Sequence, residues 1–80
     1  MRVHVLLYDP GTDNEGIHSL ELKSDTVVLM FENRDDAERY SMLLEAQDFP
    51  TPTVEELDKE EIEAFCHQQG YQARLIVKGF

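Results

Sequence analysis

The chain has 80 residues, with 17 Asp and Glu against 7 Lys and Arg and a formal charge of −10. These values bound it to one small, acidic α/β domain over residues 1–80. No cluster of cations is available to neutralise phosphates, so nucleic acid is excluded as a partner and anionic membrane surfaces are disfavoured.

Cys66 is the single cysteine, which rules out an internal disulfide and fits a reducing compartment. The opening Met1–Val5 lacks the apolar run of a secretory leader. No stretch approaches the roughly 20 apolar residues that membrane insertion needs. A soluble, cytoplasmic protein is expected.

Arg2–Tyr8 (RVHVLLY) is rich in β-branched and aromatic residues and reads as a strand. Asp9-Pro10-Gly11 ends it, and Thr12–Gly16 continues as turn-forming residues. Ile17–Leu22 alternates in the manner of a shorter strand near an edge. Lys23-Ser24-Asp25 then turns the chain into Val27–Phe31, so these two segments are expected to form a hairpin. Val27–Phe31 is an unbroken run of large apolar residues bounded by polar ones, the mark of a strand buried on both faces.

Asn33 suits an N-cap, with Asp35 and Asp36 in the first turn where the helix dipole favours negative charge. Ala37, Tyr40, Ser41 and Leu44 recur at helical spacing up to about Gln47, and Phe49-Pro50-Thr51-Pro52 stops the helix. Thr53–Leu57 admits two readings. It could be an edge strand, or the start of a longer helix, since Thr53 and Glu56 have capping-box spacing. The strand is favoured, because Asp58 and Glu61 form a competing capping box for a helix over Lys59–Gln69, stopped by Gly70. Tyr71–Lys78 closes the chain as a strand.

The order strand, strand, strand, helix, strand, helix, strand predicts an α+β fold. It is expected as a two-layer sandwich, a ferredoxin-like variant with a mainly antiparallel sheet and both helices on one face. The other face would carry Leu6, Val28, Met30 and Ile76 as an apolar centre. Monomers seldom leave such a patch wet. Its cover would be the chain's own Asp9–Asp25 segment, a second copy in a homodimer, or a different protein.

Little in the sequence carries chemistry. The loop Asp9–Gly16 (DPGTDNEG) gathers oxygen ligands that suit calcium, but only Asp13-x-Glu15-Gly16 hints at the EF-hand spacing. A turn whose side chains bond their own backbone is favoured. His4, His18 and His67 fall on different elements. Cys66 and His67 are adjacent on a helix, so their side chains diverge by about 100°. Cys66 follows Phe65 on the inward face and reads as a small core residue. No nucleophile–base spacing, phosphate loop or zinc pattern is present, so neither an enzyme nor a cofactor is expected. The acidic stretch Glu55–Glu63 complements its helix dipole and could meet a basic partner.

Two stretches taken together, GTDNEGIHSL at Gly11–Leu20 and LMFENRDDAERYSMLLEAQDFPTPTVEELDKEEIEAFC at Leu29–Cys66, resemble a small protein family of cyanobacteria and plastids catalogued as domain of unknown function 3110. The resemblance covers nearly the whole chain and carries over no catalytic residue. It implies an oxygenic phototroph, a cytosolic or stromal setting and an accessory role. The function expected is therefore a non-enzymatic interaction or assembly module. Leu6, Val28, Met30 and Ile76 would mediate sheet-face association, and Asp13, Asn14, Glu15 and His18 would be the loop contacts. The alternative is a sensor that binds a small molecule near residues 9–18.

Overall fold

A computed structural model describes residues 1–78. The elements are β1 (Arg2–Tyr8), β2 (Gly16–Ile17), β3 (Ser19–Leu22), β4 (Asp25–Phe31), α1 (Arg34–Ala46), β5 (Thr53–Asp58), α2 (Lys59–Gln69) and β6 (Gln72–Ile76). The fold is α+β, and Thr53–Asp58 is a strand. It pairs antiparallel with β1 from Leu7↔Thr53 to Arg2↔Asp58. Asp58 stands at the α2 N-cap without a side-chain cap bond. Its carboxylate lies 3.3 Å from Arg2 instead. Gly70 ends α2 at φ +74, a left-handed conformation that costs glycine little.

All strands form one sheet, antiparallel except for β4 and β6, which run parallel from Val27↔Gln72 to Phe31↔Ile76. β5 and β6 are the outer strands, and β1 and β4 lie between them. Direct pairing of β1 with β4 is confined to His4↔Phe31. Beyond that pair a wedge enters: β2 runs along β1 (Leu7↔Ile17, Tyr8↔Gly16), and β3 returns along β4 (Ser19↔Val28 to Leu22↔Asp25). The hairpin of β3 with β4 is as expected. The Ile17–Leu22 strand is not continuous, because the chain reverses direction at His18. The His18 N–H donates to the Leu6 carbonyl at 2.8 Å and fastens the tip.

The expectation that both helices share one face is corrected. Ala37 and Leu44 of α1 pack with Leu6, Val27, Leu29 and Phe31. Ile62 and Cys66 of α2 pack with Val3, Val5, Val28 and Met30. Successive residues of a strand point to opposite faces, so the helices lie on opposite sides of the sheet. Topology supplies the reason. The connection through α1 carries the chain from β4 past β1 to β5, and the connection through α2 carries it back to β6. Parallel crossovers share one hand, so two that travel in opposite senses place their helices on opposite faces.

The open sheet face is corrected with it. Leu6 is 3% exposed, Val28 0% and Met30 1%, and Ile76 is half-buried against the α1 cluster. The four do not share a surface: Leu6 and Ile76 face α1, while Val28 and Met30 face α2. The expected grouping was out of phase by one residue in β4. Its unbroken apolar run has no polar residue to fix which alternate set points where.

With Met30 beneath α2, Met30→Asp places an unpaired charge in the core rather than on an interface. It is expected to abolish cooperative unfolding, since a domain of this size has only ~4–12 kcal/mol of net stability. Met30→Ala is expected to stay folded and lose about 2–4 kcal/mol. Urea denaturation followed by circular dichroism checks both, and a folded, stable Met30→Asp would contradict this packing.

Candidate functional site

The loop from β1 to β2 is built by its own polar groups. Asp9 sits at φ +49 and Gly11 at φ +79. The Thr12 hydroxyl donates to the Asp9 carbonyl at 2.8 Å, and accepts from the Asn14 N–H at 3.2 Å. The Glu15 carboxylate accepts from the Gly11 N–H at 2.7 Å. This is the self-bonded turn favoured from the sequence. Among the described residues no group of three His, Cys, Asp or Glu side chains is placed to hold a metal ion. Asp13 and Asn14 are exposed at the loop. His18 is not beside them; it lies deeper, opposite Leu6, at the tip of the wedge.

That position gives His18 its partners. Tyr8, at the end of β1, brings its hydroxyl to 3.1 Å from Nδ1. Tyr40, from the middle of α1, brings its hydroxyl to 3.2 Å from Nε2. The rings also touch: His18 lies 5.4 Å from Tyr40 between centroids, and Tyr40 lies 5.7 Å from Phe31. A neutral imidazole carries one N–H, so one phenol donates to it and the other accepts from it. Burial pushes the His18 imidazole below its ordinary value of 6.5. It also pushes both phenols up, and at Tyr40 negative charge on Tyr8 adds to the rise. His18 is therefore a neutral hydrogen-bonding bridge, with both nitrogens already engaged.

Beside this bridge lies a cleft of about 320 Å³, lined by Tyr8, Ile17, His18, Ser19, Phe49 and Pro50. Phe49 follows α1 and remains 50% exposed, with its backbone held by a bond from its N–H to the Leu44 carbonyl at 3.0 Å. The cleft thus combines a polar aromatic floor with an exposed apolar wall, and the 9–15 loop leaves β1 next to its Tyr8.

Of the residues singled out from the sequence, only His18 lines this cleft. Asp13, Asn14 and Glu15 belong to the adjoining loop, and Leu6, Val28, Met30 and Ile76 belong to the core. Tyr8 and Tyr40 were not foreseen as site residues. Tyr40 carried a helical-core spacing and Phe49 a helix-stop context, and neither pattern signals a meeting with His18. Cys66 is buried, as expected of a core residue. Burial and the nearby Glu63 charge raise its thiol above its ordinary value, which keeps it protonated and inert. Among the described residues no helix is long and apolar enough to cross a membrane.

A family model described as a domain of unknown function, DUF3110, matches residues 3–80. No curated protein and no solved structure matches at a significant level.

The lowered pKa of His18 fixes a sign. Below pH 6.5 the unfolded chain takes up this proton before the folded one does, so the unfolded state binds more protons. Stability from neutral His18 is complete above pH 6.5, and is lost as pH falls through that value toward the folded pKa. Urea midpoints measured at about pH 7.5 and about pH 5 should therefore drop more for the wild type than for His18→Gln, which cannot titrate. Equal drops would show that His18 protonates alike in both states. Tyr40→Phe leaves one His18 nitrogen without that partner and is expected to cost about 1–2 kcal/mol in the same assay.

Proposed function

Given that the chain belongs to the DUF3110 family, whose description assigns no activity, we propose that it is a non-enzymatic interaction module with its contact surface at the loop end of the sheet. The setting proposed is an assembly or regulatory role in an oxygenic phototroph, in the cytosol or the plastid stroma. The partner is a basic protein. Asp13, Asn14 and Glu15 supply carboxylates and an amide to its cations, and His18 with Phe49 receives an apolar or aromatic side chain.

The observation that carries this reading is the half-exposed Phe49 beside the Tyr8–His18 cleft, at the end of β1 from which the acidic 9–15 loop departs. An aromatic anchor inside a polar rim is the arrangement that concentrates binding energy in protein interfaces. The charge of −10 steers cationic partners toward the molecule and speeds their encounter. A neutral His18 with both nitrogens bonded is suited to orienting a contact rather than to moving protons. Sheet-face association has no place in this reading, because α1 and α2 bury the residues it would need.

A second reading rests on the volume of the same cleft. About 320 Å³ falls at the lower end of the ~300–1,000 Å³ typical of small-molecule sites. A small ligand seated against His18 would make the domain a sensor.

Capture from a cyanobacterial lysate distinguishes the two. The module reading expects a defined complex at low salt that weakens at moderate salt, because exposed charge pairs are screened within a Debye length of about 10 Å at 0.1 M. Phe49→Ala should lose that complex while keeping its melting temperature nearly unchanged, since half-exposed positions contribute little to stability. Capture that survives Phe49→Ala, or that is indifferent to salt, would refute the module reading. A rise in melting temperature with one member of a metabolite panel, absent in Phe49→Ala, would support the sensor instead.

A further inference from the structure

The wedge that aims His18 toward α1 aims its neighbour Ile17 toward α2, and on that side it leaves a second cleft of about 260 Å³. Its walls come from Leu7 of β1, Ile17 of β2, Leu57 of β5 and Phe65 of α2, and its rim carries Glu15 and Glu61. The apolar side chains are partly exposed, and the Phe65 ring, which is 39% exposed, is set edge-on to Tyr71 at 6.1 Å. The two carboxylates come from separate elements, the β1–β2 loop and the first turn of α2. Glu15 is held in place through the Gly11 N–H. Neither carboxylate has a cationic partner among the described residues, whereas Glu38, Glu56, Glu60 and Glu63 each have one.

We propose that this cleft binds a small amphipathic amine: an apolar body of one ring or a short chain, bearing a single ammonium head. Charge selects the head. Two carboxylates at the rim, in a molecule of charge −10, repel an anion, and a neutral apolar ligand would leave both unpaired. Size selects the body. The volume is below the ~300–1,000 Å³ of sites for larger ligands, so the body is limited to one ring or a short chain beside Phe65 and Leu57. The ammonium then reaches the rim, where Glu61 and the second oxygen of Glu15 accept its hydrogen bonds. This site lies across the sheet from the Phe49 cleft, shares only Glu15 with the surface proposed there, and is read out separately from it by Phe49→Ala.

The test is an NMR titration of the ¹⁵N-labelled chain with phenethylammonium chloride, and in parallel with sodium 3-phenylpropionate, which has the same ring and spacer but the opposite charge. Phenethylammonium should shift the amides of Leu7, Ile17, Leu57 and Phe65 in a saturable way, and phenylpropionate should not. Glu15→Gln combined with Glu61→Gln should weaken phenethylammonium binding by about fivefold or more, the effect of removing two partly exposed charge pairs. Glu61→Gln alone should weaken it by less, and Phe49→Ala should leave it unchanged. Equal shifts with both probes would mean an unselective apolar groove and would overturn the proposal. So would an undiminished affinity in the double variant. If the same amides shift with protein concentration and neither probe displaces that change, a second copy occupies the cleft and the amine site does not exist.

Discussion

The bond from the His18 N–H to the Leu6 carbonyl anchors the feature on which the rest of the architecture turns. It pins the tip of a two-armed wedge between β1 and β4, so the two central strands meet directly only at His4 and Phe31. Beyond that pair, Leu7 and Tyr8 of β1 and Asp25–Val28 of β4 find their second neighbour in an arm of the wedge, which keeps their backbone groups paired. A chain that reverses at one residue must present consecutive side chains to opposite faces. Ile17 therefore meets the α2 side and His18 the α1 side. One local event shapes both clefts of the molecule.

The same arrangement explains how 80 residues cover a strand that is apolar on both faces. A helix on one side alone would leave either Val28 and Met30, or Val27, Leu29 and Phe31, against water. The chain instead crosses the sheet in both directions and lays one helix on each side. The outer strands bear the cost of having no further neighbour, and their composition fits that position. β5 carries Glu55, Glu56 and Asp58, and β6 carries Arg74 with Lys78 just beyond its end. Charges on outer strands discourage pairing with other chains.

Much of this was legible in the residues. The element order, the doubly buried Val27–Phe31 run, the β3–β4 hairpin, the Gly70 stop and the strand at residues 53–58 all follow from propensity, turn chemistry and capping. The faces were not legible. Period-2 alternation assigns a face only where a polar residue marks the phase. β4 has none across five positions, and β1 blurs its own phase with Leu6 beside Leu7. The helix placement was readable in principle, because the handedness of crossovers fixes it once strand order is known. Strand order, however, depends on the wedge, and nothing in GIHSL announces a reversal. The His18 site was hidden for a related reason. Tyr8 lies 10 positions before His18 and Tyr40 22 after it, and each already had an adequate local role.

The distribution of charge separates what holds the molecule together from what it offers to others. Arg2, Arg34, Arg39 and Lys59 are all engaged with carboxylates. Three of these four pairs are well exposed and so contribute little to stability, while Asp36, beside Arg39, is buried at the start of α1. Folding instead rests on two apolar clusters and one neutral polar bridge. The surplus carboxylates are consequently not required by the core. One of them, Glu15 of the β1–β2 loop, is positioned by the Gly11 N–H and stands beside a cleft with apolar walls. Acidity spread evenly over the surface would serve solubility alone. Acidity fixed at the mouth of the α2-side cleft, where Glu15 and Glu61 stand, gives it a preference for cations, while the His18 cleft on the other face is lined by neutral groups.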